Sequence, residues 1–158
     1  MRSTGVRWFA RVAAMALLAG CASAPPAIAQ SACAPTRSDA EGPFYKPNAP
    51  ERASTGRGLV VSGAVRSAAG CGVIPGARLE WWAANPQGRY DDEHRAIQRA
   101  DAGGRYRYET DFPGGYGFFR RPHLHVRVAA PGHRPLVTQL YPEAGQTALD
   151  FDFVLVPD

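Results

Sequence analysis

The sequence has no apolar run long enough to cross a bilayer as a helix, no internal repeat, no low-complexity tract and only three cysteines. The first absence matters most at the start, where Arg2, Arg7 and Arg11 precede the short apolar run from Val12 to Ala19. A spanning helix needs about 20 apolar residues. The stretch therefore reads as an export leader, with a charged beginning, a short apolar centre and a small-residue exit. Two exits are open. Leu18, Ala19, Gly20 and Cys21 form a bacterial lipobox, which predicts a lipidated Cys21 and attachment to the outer membrane. Ala27, Ile28 and Ala29 form an A-x-A site, which predicts a soluble periplasmic chain beginning at Gln30. The leader, residues 1–29, also lacks any acid. Without its three arginines the formal net charge falls from +4 to about +1. The basic balance is then a targeting feature and gives no argument for a nucleic-acid partner.

Once Cys21 is lipidated or removed, Cys33 and Cys71 remain as a pair. An oxidising compartment predicts a disulfide between them, with two free thiols as the alternative. Helical periodicity is nearly absent too, and only Asp91 to Ala100 is read as able to hold a short helical turn. Residues 30–58 are rich in Pro, Ser, Gly and charge without a period, which predicts an extended arm. Residues 59–158 then carry short alternating segments bounded by Gly or Pro: Leu59 to Val65, Ala77 to Ala83, Arg105 to Thr110, His123 to Ala129, Pro135 to Tyr141 and Leu149 to Val156. Short strands at this spacing predict one all-β domain, an antiparallel β-sandwich or barrel.

The chemistry-bearing segment is Arg120-Arg121-Pro122-His123-Leu124-His125-Val126-Arg127-Val128. Leu124, Val126 and Val128 alternate with His123, His125 and Arg127, so the two imidazoles project from one face of a strand. That spacing suits a metal, although two polar residues on a solvated strand face would look the same. Tyr90 follows a strand and the turn from Asn85 to Gly88. Tyr116 follows Pro113, Gly114 and Gly115, shortly before the histidine pair. Each tyrosine alone reads more readily as a packing residue with its hydroxyl at the surface. His94, His133 and the acids Asp91, Asp92 and Glu93 read as surface residues. Of Trp81 and Trp82, one reads as core and the other as pocket wall or interface.

Taken in order, these segments resemble the intradiol ring-cleavage dioxygenases, most closely their protocatechuate 3,4-dioxygenase branch. The matching pieces are Asp39 to Arg52, Ile74 to Ala77, Trp82 to Tyr90, Pro113 to Tyr116, Arg120 to His125, Thr138 to Tyr141 and Asp150 to Leu155. The resemblance implies a prealbumin-like β-sandwich and a mononuclear non-haem Fe(III) centre held by Tyr90, Tyr116, His123 and His125. It implies a catechol-type diol and O2 as substrates, and a cis,cis-muconate-type dicarboxylate as product. Tyr116 would take up a substrate proton. Arg120 would stabilise developing charge, with Arg121 as its alternative, and Gln139 would lie near the substrate. A homo-oligomer is also implied. The chemistry agrees, because a phenol with a pKa near 10 needs a hard, highly charged ion to hold it as phenolate. Catechol, protocatechuate, hydroxyquinol and substituted or polymer-derived catechols stay open as substrates. The rival readings are a non-enzymatic transthyretin-like binding module and a zinc hydrolase using the histidine pair.

Overall fold

Residues 33–116 and 120–158 are described by the computed structural model. The leader, both exit sites and Cys21 lie outside the described residues. The described residues form eight strands: β1 (Gly58–Ser67), β2 (Arg78–Ala84), β3 (Tyr90–Arg99), β4 (Arg105–Asp111), β5 (Leu124–Ala129), β6 (Leu136–Leu140), β7 (Ala148–Asp150) and β8 (Phe153–Leu155). They make two sheets. One runs β4-β1-β7, with β8 also on β1; the other runs β3-β2-β5-β6. Every pairing is antiparallel except β1 with β7 and with β8. Alternate residues of both sheets fill the space between them. Leu59, Val61 and Tyr108 from one sheet meet Leu79, Trp81, Leu124 and Val126 from the other, all buried. Each such aliphatic side chain stabilises the sandwich by about 1.5–3 kcal/mol.

Two expectations need correction. Asp91 to Ala100 is strand β3 and not a helical turn. Its polar residues look out of place in a strand, but they are paired with one another and with the arm. Arg95 donates to Asp92 and to the carbonyls of Lys46 and Pro47, and Asp91 accepts from Asn85 and from the backbone of His94. The stretch from Leu149 to Val156 is two short strands. Phe151 and Asp152 break it where the chain presses on Gly63, at which any side chain would collide with the Phe151 carbonyl. There the Asp152 carboxylate accepts the Ala64 N–H at 2.7 Å in place of a ladder bond.

The arm before β1 runs across the outer face of the β3-β2-β5-β6 sheet. Asp39 N–H donates to the Val137 carbonyl on β6 and Arg52 N–H to the Ile97 carbonyl on β3. Its start is fastened by a disulfide between Cys33 and Cys71, with Cα atoms 5.2 Å apart.

Candidate metal centre

The site lies on that covered outer face. Strand register lines up Trp82 of β2, His125 of β5 and Gln139 of β6 as direct cross-strand neighbours. His123, two residues before His125, points the same way and lies beside Tyr141, with ring centroids 5.8 Å apart. Both histidines are buried, His123 to 2% exposure and His125 to 1%. The alternation read from the sequence therefore holds. The polar face is shielded by the arm and not bathed in water.

The tyrosines arrive by a different route. The register of β2 against β3 slips between Trp82 and Ala84, and the turn that follows is tied by Asn85, whose Oδ1 accepts from Gln87 and Arg89 N–H. Gly88 in this turn has φ +77°, and a Cβ there would lie 2.5 Å from the Gly115 carbonyl oxygen. A Cβ on Gly114 would lie 2.6 Å from both Gly88 N and Pro86 O. Only side-chain-free backbone lets these turns touch this closely. Their contact brings Tyr90 and Tyr116 edge to face at 5.6 Å. Tyr116 N–H then donates to the Arg120 carbonyl, which returns the chain to the histidine strand.

Three donor atoms converge. The Tyr90 hydroxyl is 3.2 Å from Nε2 of His123 and 3.1 Å from Nε2 of His125, and the two nitrogens are 3.1 Å apart. His123 must donate through Nδ1, because its partner there is the Arg121 carbonyl at 2.8 Å. Its Nε2 is thus a lone pair facing the cluster. The Tyr90 hydroxyl and both Nε2 atoms thus lie within 3.2 Å of one another, an arrangement of nitrogen and oxygen donors that suits a cation. The titration directions agree. Burial, then the charges of Arg120 and Arg121, lower the pKa of His123 despite the Arg121 carbonyl. Burial, His123 and Arg120 bring His125 down to about 4. Both rings are neutral near pH 7. Burial and the neighbouring Tyr116 raise the Tyr90 pKa, so only a strongly charged ion would draw out its proton. Among the described residues no three His, Cys, Asp or Glu side chains gather to hold a metal. The donors here are imidazole and phenol, which favours a hard trivalent ion over zinc.

Around the donors, Arg120 brings Nη2 to 3.3 Å from His123 Nε2 and 3.1 Å from Gln139 Oε1, with its guanidinium 5.9 Å from the Tyr116 ring. The guanidinium of Arg121 instead lies over the Tyr141 ring at 4.2 Å. Trp81 is core, stacked on Tyr108, and Trp82 is pocket wall, stacked parallel on His125 at 4.9 Å. Sequence reasoning missed the arm's share. Phe44 stacks on Tyr90 at 4.2 Å, and a Cβ on Gly42 would lie 3.2 Å from Cε1 of His125. The signal was there in Gly42-Pro43-Phe44, a turn followed by an aromatic. His94 is not a surface residue, as expected from sequence, but is buried between Asp91 at 2.6 Å and Asp111 at 3.1 Å. A surface recess of about 720 Å³ beside β3 and β4 contains none of the donors.

Comparison with known proteins places the chain in a family. A family model described as dioxygenase matches residues 39–155. The solved dioxygenase domain of a dioxygenase carbohydrate-binding protein fusion from Streptomyces sp. SirexAA-E is 32% identical and superposes with a TM-score of 0.71, covering 79% of this chain and 100% of that one. A chlorocatechol 1,2-dioxygenase of Cupriavidus pinatubonensis is 28% identical over 144 residues, 70% of this chain and 56% of its own. A catechol 1,2-dioxygenase of Acinetobacter guillouiae is 33% identical over 135 residues, 63% of this chain and 44% of its own. The chain thus spans about half the length of the curated relatives it matches. On its fold, its matched length and its relatives, this chain belongs to the intradiol dioxygenase family.

Proposed function

We propose that this protein binds one Fe(III) ion through Tyr90, Tyr116, His123 and His125 and uses O2 to open a catechol-type ring between its two hydroxylated carbons. Both oxygen atoms enter the product, a cis,cis-muconate-type dicarboxylate. The observation that carries the reading is the triangle of Tyr90 Oη, His123 Nε2 and His125 Nε2, each 3.1–3.2 Å from the others. Bound iron would supply Lewis-acid activation of the diol and a place for O2 to react.

The chain's own residues divide the remaining work. His123 and His125 are rigid, held by the sheet and by Trp82. Tyr90 is fixed from both sides by Phe44 and the histidines. Tyr116 is only half-buried and comes from a turn, so it can shift and take a proton from the diol. Arg120 places a permanent positive charge beside the reacting ring, where negative charge grows during attack; such preorganised charge is worth about 10²–10³ in rate. Gln139 holds that guanidinium through Oε1. Export is part of the proposal: the leader would carry the chain outside the cytoplasm, where the Cys33–Cys71 disulfide is maintained. The mass of the mature N-terminus separates a lipidated Cys21 from a start at Gln30.

The test is O2 uptake by iron-loaded protein with a panel of catechols, the products being identified by mass. Ring-opened dicarboxylates carrying both atoms of labelled O2 are expected. Tyr116→Phe should keep its iron but turn over about 10²–10⁴-fold more slowly, the range for a lost proton acceptor. Extradiol products, or full activity in Tyr116→Phe, would contradict the assignment.

A further inference from the structure

We propose that Tyr141 is a positioning residue, whose hydroxyl, set between Gln139 and Asp39 of the arm, fixes the Gln139 amide so that Arg120 is held at the histidine pair. The proposal rests on the reading of Arg120 as the cation of the site.

Arg120 needs such a hold. Its side chain is exposed, and a long arginine side chain samples many rotamers unless its guanidinium is held. Its partner Gln139 is an amide that can present either end. In this structure both ends are spoken for. Nε2 donates to the Ala40 carbonyl at 2.6 Å. Oε1 accepts from the Tyr141 hydroxyl at 2.8 Å and from Arg120 at 3.1 Å. The Ala40 carbonyl, which takes the amide nitrogen, and the Tyr141 hydroxyl, whose one proton at 2.8 Å is turned to Oε1, together hold the orientation in which the oxygen faces the guanidinium.

Tyr141 is itself clamped on several sides. The Asp39 carboxylate lies 3.1 Å from its hydroxyl, and Asp39 is in turn tied to the Ala40 N–H at 2.7 Å. The Arg121 guanidinium covers the ring, and the His123 ring flanks it. Arm, β6 and the histidine strand meet at this one side chain. Asp39 and Ala40 thereby place the arm inside the working part of the site, where it reads the position of Gln139 from both ends.

Tyr141→Phe keeps the ring and removes only the hydroxyl. In metal-free protein, nitrogen NMR of the arginine guanidinium groups should show restricted rotation for Arg120, identified by its loss in Arg120→Gln. In Tyr141→Phe that restriction should disappear. A guanidinium signal unchanged by Tyr141→Phe would overturn the proposal. In iron-loaded protein, kcat should fall about tenfold, one hydrogen bond's worth. KM should stay within about twofold, and the resting ferric spectrum should not move, because Tyr141 touches no donor atom of the triangle. In the Arg120→Gln background the same change should cost nothing more, since it acts through Arg120. An equal loss in both backgrounds would refute it. A wild-type protein that cleaves no catechol would instead sink the functional reading, while the guanidinium spectrum still decides the role of Tyr141.

Discussion

His94 shows how far a single residue can depart from its sequence neighbourhood. It follows three consecutive acids, in a segment that reads as solvated, yet it is buried between Asp91 and Asp111 and so ties β3 to β4. Burial opposes its charge, but the two carboxylates outweigh burial and raise its pKa. They are themselves held below the usual range: at Asp91, bonds from His94 and Asn85 overcome burial, and at Asp111 the Arg57 N–H leads. The signs follow from linkage. The raised histidine contributes stability that is fully present below its unfolded pKa of about 6.5 and is lost as pH rises through its higher folded value. The lowered carboxylates contribute above about 3.8 and lose that contribution as pH falls further. Denaturant unfolding of wild type against His94→Gln should therefore differ most between about pH 4 and 6.5. The gap should narrow above that. A gap that widens toward pH 8 would show that His94 is buried neutral. At this scale the four proposed ligands were legible because each sits in its own motif. Asp39, Gly42 and Tyr141 were not, because their roles come from contacts across about 100 residues of sequence that no local pattern records.

Among the elements, β5 was the most legible. Its apolar alternation is uninterrupted, and the same period that buries Leu124, Val126 and Val128 aims both histidines outward. Strand β3 was the least legible. A strand normally declares itself by β-branched or aromatic residues, whereas this one pairs its charges with the arm and with its own neighbours. The contact between the turn after β2 and the turn before Tyr116 depends on glycine at Gly88 and Gly114. Gly114→Ala should force the two turns apart, because its Cβ would meet backbone atoms on three sides at 2.6–2.8 Å. We expect a stability loss of about 1–3 kcal/mol, as for other overpacked sites. A weaker hold on iron should accompany it, because Tyr116 moves away from Tyr90. Iron affinity equal to wild type in a folded Gly114→Ala protein would mean that the glycine contact does not set the tyrosine spacing.

For the whole molecule, the sandwich supplies a stiff floor and the arm supplies a cover. The floor was readable from strand count, spacing and turn residues. The cover was readable only as chain without periodicity, because its order comes from docking and not from propensity. The disulfide ties the two together across 38 residues. In the chain-entropy picture a loop of that length is worth about 3–4 kcal/mol. Reduction, or replacement of Cys33 and Cys71 by Ala, should lower the thermal midpoint. It should also loosen the arm that carries Asp39, Gly42 and Phe44, seen as faster amide exchange from Asp39 to Lys46. Exchange that stays slow after reduction would show the arm to be held by its docking contacts alone.

The central claim of the proposed function is a ferric ion held by two phenolates and two imidazoles. The visible absorption spectrum of metal-free protein titrated with Fe(III) tests it most directly. A red-brown tyrosinate charge-transfer band should grow to saturation at about one equivalent, with protons released as the phenols ionise. Tyr90→Phe should weaken and shift that band, and His125→Ala should lower the affinity for iron. A protein that stays colourless and takes up no iron, or whose band is untouched by Tyr90→Phe, would contradict the assignment of this centre.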